Sequence, residues 1–115
     1  MNNLNEQIEV IKKANEYKKS HLSLIKYCLN HGYKISVHLQ NEIEPELKKS
    51  DNFEKIKEFS ECADITELCL FKHGKKLGWV LLVLDNEDEE IVSDFTNSNF
   101  LNNWWNKYQK ITETL

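Results

Sequence analysis

The chain contains no arginine; all fifteen cationic side chains are lysine. Arginine supplies the planar fork that grips phosphate and guanine and the cation that stacks on bases. Its absence, with 19 acidic residues and a net charge of −4, makes direct nucleic-acid binding a poor expectation. Proline occurs once and glycine three times, which excludes a Gly/Pro-rich linker or a collagen-like chain. No apolar run reaches the ~18 residues of a membrane-spanning helix. The opening MNNLNEQIEV has no basic start leading into an apolar stretch, so no export signal is read there. The three cysteines, Cys28, Cys62 and Cys69, are odd in number and form no C-x-x-C pair. The expected location is therefore a reducing cytoplasm. Also missing are a phosphate-cradling glycine loop, G-x-S-x-G, H-E-x-x-H and a dinucleotide fingerprint, so nothing in the sequence marks an enzyme or calls for a cofactor.

What is present is an ordinary globular mixture, 40% hydrophobic and 30% charged over 115 residues, enough for one domain spanning 1–115. Leu4, Ile8, Ile11 and Ala14 draw a narrow apolar stripe that predicts an N-terminal helix over 3–19; residues 1–20 read as a peripheral element. Ser20 stands where it could cap a second helix carrying Leu22, Leu24, Ile25, Cys28 and Leu29, ended by Gly32. Tyr33, Ile35, Val37 and Leu39 alternate with polar residues, the pattern of a strand buried on one face. Residues 40–50, with Pro45 and several charges, read as a loop. Ser50 or Asp51 opens a helix of about a dozen residues with Phe53, Ile56 and Phe59 at period three, and Asp51 with Glu54 has capping-box spacing. Strands are expected over 66–72, 77–84 and 89–96. The middle one is apolar on both faces, which predicts a central strand covered twice, with Trp79 in the core. Ser98 caps a last helix from about Asn99 to Ile111, with Leu101, Trp104, Trp105, Tyr108 and Ile111 along one side. The order ααβαβββα predicts an α+β fold: a small antiparallel sheet of four strands packed with helices.

Charge is distributed unevenly. Residues 1–80 hold 13 Lys and 12 acids, for +1; residues 81–115 hold 2 Lys and 7 acids, for −5. Asp85, Glu87, Asp88, Glu89 and Glu90 crowd one predicted turn. A calcium loop would need a mid-loop glycine and a closing Glu, and this segment runs straight into a strand, so no metal site is assigned. It reads either as a solvated turn that keeps an apolar sheet from aggregating or as a recognition surface for a basic partner. Cys28 with His31 and Cys69 with His73 have spacings reminiscent of zinc ligands, yet they fall on a helix stripe and in a strand, and all three cysteines read as small buried hydrophobes. Trp104 and Trp105 lie about 100° apart on the last helix, so one can face the core while the other sits at the edge of the stripe as an interface anchor.

From Gly32 onward the chain resembles a family of small phage- and prophage-encoded accessory proteins. The resemblance is carried by Gly32-Tyr33-Lys34-Ile35-Ser36-Val37, by Ser50 opening a helix, by Gly78-Trp79-Val80, and by Glu90 with Ser93-Asp94-Phe95-Thr96. The family's acidic-aromatic segment after the first strand reads here Leu39-Gln40-Asn41-Glu42-Ile43 and keeps only Glu42. The resemblance implies a protein made inside a bacterial host, and it carries over no catalytic residue. The functional expectation is a non-enzymatic inhibitor that binds a host protein with a basic surface, foremost an antiviral-defence (anti-CRISPR-like) target. Asp85, Glu87, Asp88, Glu89 and Glu90 are the expected contact surface, and Trp104 or Trp105 the anchor. Three alternatives stay open: an immunity protein covering a toxin's basic site, a small enzyme acting on a nucleotide signal, and a nucleic-acid-binding regulator using Lys12, Lys13, Lys18, Lys19 and Lys26. A homodimer is also open, because four helices must cover two apolar sheet faces.

Overall fold

The structure is a computed structural model and describes residues 19–40, 42–84 and 91–114. In chain order it contains α1 (Ser20–Asn30), β1 (Lys34–Leu39), β2 (Leu47–Ser50), α2 (Phe53–Ser60), β3 (Ile65–Lys72), β4 (Lys75–Val83), β5 (Val92–Phe95) and α3 (Asn99–Thr114). The strands form a single antiparallel sheet ordered β2-β1-β3-β4-β5. The fold is α+β as expected, with five strands in place of four. The helix expected over 3–19 lies outside the described residues, save Lys19. None of the described helices is long and apolar enough to cross a membrane.

The additional strand comes from the segment expected to be a loop. Pro45 sits ahead of β2, where no ladder N–H is required of it. Leu47 pairs with Val37 and Ser50 with Ile35, so Lys48 and Lys49 together oppose Ser36 in a β-bulge. The Ser36 hydroxyl accepts the Lys49 N–H at 2.8 Å. From β2 the chain crosses over β1 through α2 to reach β3. β3, β4 and β5 then form the expected meander, its first turn made by His73 and Gly74 alone.

Caps differ from expectation where tertiary contacts compete for the same hydroxyl. Gly32, at φ 81°, stops α1 as expected, and Ser98 accepts the Leu101 N–H at the start of α3. α2 is capped by Asn52, which accepts from Lys55 N at 3.1 Å; Ser50 instead accepts the Asn52 N–H. Ser20 does not cap α1, whose N-cap is Lys19. Its buried hydroxyl accepts the Val92 N–H at 2.9 Å, tying the helix to β5. Ser20→Ala is accordingly expected to cost about 1–3 kcal/mol, the penalty for leaving a buried donor unsatisfied. A denaturant titration would show this as a lower midpoint at unchanged slope.

Alternation along the strands sorts their side chains into two faces. Ile35, Val37, Leu68, Leu70, Val80, Leu82 and Val92 form one core with Leu24, Ile25 and Cys28 of α1, Ile56 of α2, and Leu101, Trp104 and Tyr108 of α3. All three described helices therefore pack on this one face. β4 was expected to be covered twice, yet no described element lies over its second face. Trp79, expected in the core, is half-buried on that second face beside Leu81 and Val83.

Candidate functional site

The second face is built row by row from cross-strand partners. Ser36, Cys69 and Trp79 form one row; His38, Glu67, Leu81 and Asp94 the next; Ile65 and Val83 a third. Lys34, Phe71 and Lys76 close the face at the far end. Ser36 and Cys69 are buried, while Trp79, Leu81, Val83, Ile65 and Phe71 are half-buried. Large half-buried apolar side chains at the centre with charge at the rim are the composition of a protein interface. A groove of about 180 Å³ opens along this face between His38, Gln40, Glu42, Ile65, Glu67 and Leu81.

The groove runs toward an acidic end of the sheet. The β1–β2 connection carries Glu42, Glu44 and Glu46, and Asp64 precedes β3. Ile43, 92% exposed, stands between two of these glutamates as a bare apolar tip. The Glu42 carboxyl is held above its usual range by its hydrogen bond to Glu46, with slight desolvation and the neighbouring charge acting the same way. Asp85, Glu87, Asp88, Glu89 and Glu90, the expected contact surface, lie outside the described residues. Their flanks are described: Val83 N donates to Ile91 O at 2.9 Å, and Leu84 N donates to Asp64 O at 2.8 Å. The chain thus leaves β4 and rejoins β5 at this same acidic end.

The two adjacent tryptophans divide as their spacing suggests. Trp104 is 2% exposed, and its indole N–H donates to Ser23 Oγ at 3.1 Å. It stacks on Tyr108 and meets Phe95 edge-on, so it is a core residue and not a surface anchor. Trp105 is half-buried against Phe95 and Tyr108 and keeps an accessible edge.

Two of the three cysteines, Cys28 and Cys69, are buried. Burial pushes the thiols of Cys28 and Cys69 above their usual range. Cys62, expected to be buried, is exposed, with its Sγ donating to Glu58 O at 3.2 Å. Among the described residues no group of three or more His, Cys, Asp or Glu is placed to hold a metal ion. His31 donates through Nδ1 to Tyr27 O at 2.8 Å, at the helix end and away from any thiol ligand set.

One polar pair gave no sign in the sequence. His21 is 1% exposed, and its Nε2–H donates to Glu61 Oε2 at 2.6 Å. Lys57 Nζ donates to the other carboxylate oxygen at 3.2 Å. Among the described residues His21 Nδ1 has no partner. Burial, the largest influence, holds the imidazole below its usual range against the opposing pull of Glu61. The pair joins α1 to the residue that ends α2, with the imidazole buried and the carboxylate reaching partly to the surface, and so braces the two helices.

The chain was compared with models of protein families, with curated proteins and with solved structures, and it matches none of them.

Proposed function

We propose that this protein acts by binding another protein and performs no chemistry itself. The observation carrying this reading is the sheet face bearing Trp79, Leu81 and Phe71, which no described helix covers. Trp79 and Leu81 serve as the anchor, with Trp105 as a secondary contact. Glu42, Glu44, Glu46 and Glu67 at the acidic end, and the acidic run Asp85, Glu87, Asp88, Glu89 and Glu90 of the sequence, select a partner with a basic surface. A negative rim of this kind satisfies lysines and arginines that would otherwise hold phosphates, which is how a small acidic protein blocks a nucleic-acid channel. The likeness to phage-encoded accessory proteins in Gly32–Val37 and Gly78–Val80 favours a bacterial host protein as the target, with an antiviral-defence effector foremost.

The test is affinity capture from an expressing bacterial host, read by mass spectrometry, followed by titration of the recovered partner. Leu81→Lys should weaken binding by about 30-fold, the loss of a hot spot worth about 2 kcal/mol. Glu42→Lys with Glu67→Lys should slow association and flatten its salt dependence. Lys55→Glu, on the helix side, should leave binding intact. Equal binding by the Leu81→Lys protein, with its melting curve unchanged, would sink the reading.

A further inference from the structure

At the opposite end of the sheet the charge reverses. Lys34 opens β1, Lys49 lies in the β2 bulge and Lys72 ends β3, and these three residues from three strands line one cavity of about 380 Å³. That volume falls in the range of small-ligand sites. Among the described residues no carboxylate lines it, and none of these three lysines takes part in an ion pair.

Two features show that this cluster is held in place at a cost to the fold. The first is backbone conformation. The described residues with left-handed φ are Gly32 (81°), Lys49 (42°), His73 (54°) and Gly74 (76°), and all four line this cavity. Gly32 takes this conformation as the stop of α1 and His73-Gly74 as a two-residue hairpin turn, whereas Lys49 holds it with a side chain inside the β2 bulge, a strained position of the kind that gathers at ligand sites. The second is pairing. Lys72 lies directly opposite Lys75 in the β3–β4 hairpin, a like-charge pair that weakens a ladder unless an anion offsets it. The ammonium groups are also partly ordered in advance. Lys49 Nζ sits 4.9 Å from the Phe71 ring centroid and Lys72 Nζ 5.2 Å from that of Tyr33.

We infer that this cavity binds an oligophosphate through Lys34, Lys49 and Lys72. Three unpaired ammonium groups match the charge of a di- or triphosphate, and the lack of arginine removes the fork that would read a base edge. Lys49 Nζ already lies over the Phe71 ring, so the site recognises phosphate and leaves base identity unread. The phosphates can come from a free nucleotide or from a nucleic-acid backbone. The site lies at the end of the sheet away from the acidic residues and shares Lys34 and Phe71 with the binding face, but its test needs no protein partner and so is read independently of that proposal.

The full chain is titrated by calorimetry with pyrophosphate, with ATP and with a short oligothymidylate, across a range of salt. Saturable binding is expected in at least one arm, weakened about tenfold or more in the Lys34→Gln/Lys49→Gln/Lys72→Gln protein. Lys55→Gln should bind as the parent does. ATP or pyrophosphate binding identifies a free oligophosphate. Binding by the oligonucleotide alone, with a log–log salt slope of about −2 for three contacts, identifies a backbone. The melting temperature of the triple variant should not fall, since it removes mutual repulsion; this separates a ligand site from a structural cluster. Lys49→Gly, which relieves the left-handed backbone and removes one ammonium, should raise stability while weakening binding. The absence of binding in all three arms, or undiminished binding by the triple variant, would overturn the inference.

Discussion

Trp104→Ala is expected to destabilise the protein by about 3–5 kcal/mol, the range for removing a buried tryptophan from a packed core. The indole fills the junction of α1, α3 and the sheet. It stacks on Tyr108 at a centroid distance of 5.4 Å and reaches Phe95 at 6.0 Å. Truncation empties that space and strips Ser23 Oγ of its donor in a buried contact. Trp105→Ala, one position along, should cost only about 1 kcal/mol, because its ring is half-buried at the margin. Thermal melts of both variants check the contrast: a loss of 3 kcal/mol lowers Tm by more than about 10 °C in a domain of this size. Equal losses would mean that the division between core and edge on α3 is misplaced.

Glu61→Ala is the second large effect, expected at about 2–3 kcal/mol. It removes a charge-assisted hydrogen bond and leaves the buried His21 imidazole with neither nitrogen paired. Glu61 is 28% exposed, which keeps the loss below that of breaking a fully buried ion pair. The same pair sets a pH dependence. Burial holds His21 below its ordinary 6.5, so its contribution is fully present above that value and is drawn down as pH falls from there toward the folded-state value. Burial acts to raise Glu61, but the bonds from His21 and Lys57 outweigh it and hold the carboxyl below its ordinary 4.5. Its contribution is present above 4.5 and is lost as pH falls through the lower folded-state value. Stability should therefore decline in two acid-side arms. His21→Leu should abolish the upper arm and Glu61→Gln the lower, as read from denaturant midpoints between about pH 8 and about pH 2.

Sequence periodicity carried the parts of the fold that local burial dictates. Tyr33, Ile35 and Val37 alternate with polar residues and do turn inward, and Leu101, Trp104 and Tyr108 do line one side of α3. β2 escaped notice because Leu47-Lys48-Lys49-Ser50 holds one apolar residue, and its pairing is supplied by β1. Ser50, Asp51 and Asn52 can each cap a helix, and local sequence does not rank three adjacent candidates; Ser50 turns its hydroxyl to the Asn52 N–H instead. Ser20 was drawn to β5, a contact 72 residues away. The two-sided hydrophobicity of β4 was legible, but which face the helices take is a property of the assembled domain. Local hydrophobicity therefore points Trp79 to the core, whereas the assembled domain puts it on the second face. The signal for that face was the same alternation, Trp79-Leu81-Val83 against Val80-Leu82, read together with polar Lys34, Ser36 and His38 on β1. The lysine cavity has no local signal, because Lys34, Lys49 and Lys72 come to line one cavity only once three strands are paired.

The most direct measurement is hydroxyl-radical footprinting of the protein alone and in complex with its captured partner. The account predicts that Trp79 and Leu81 become protected on binding, together with the acidic end near Glu42 and Ile43. Exposed helix-side positions such as Lys55 and Glu58 should stay unchanged. Protection confined to the helix side, with Trp79 as reactive in the complex as in the free protein, would contradict it.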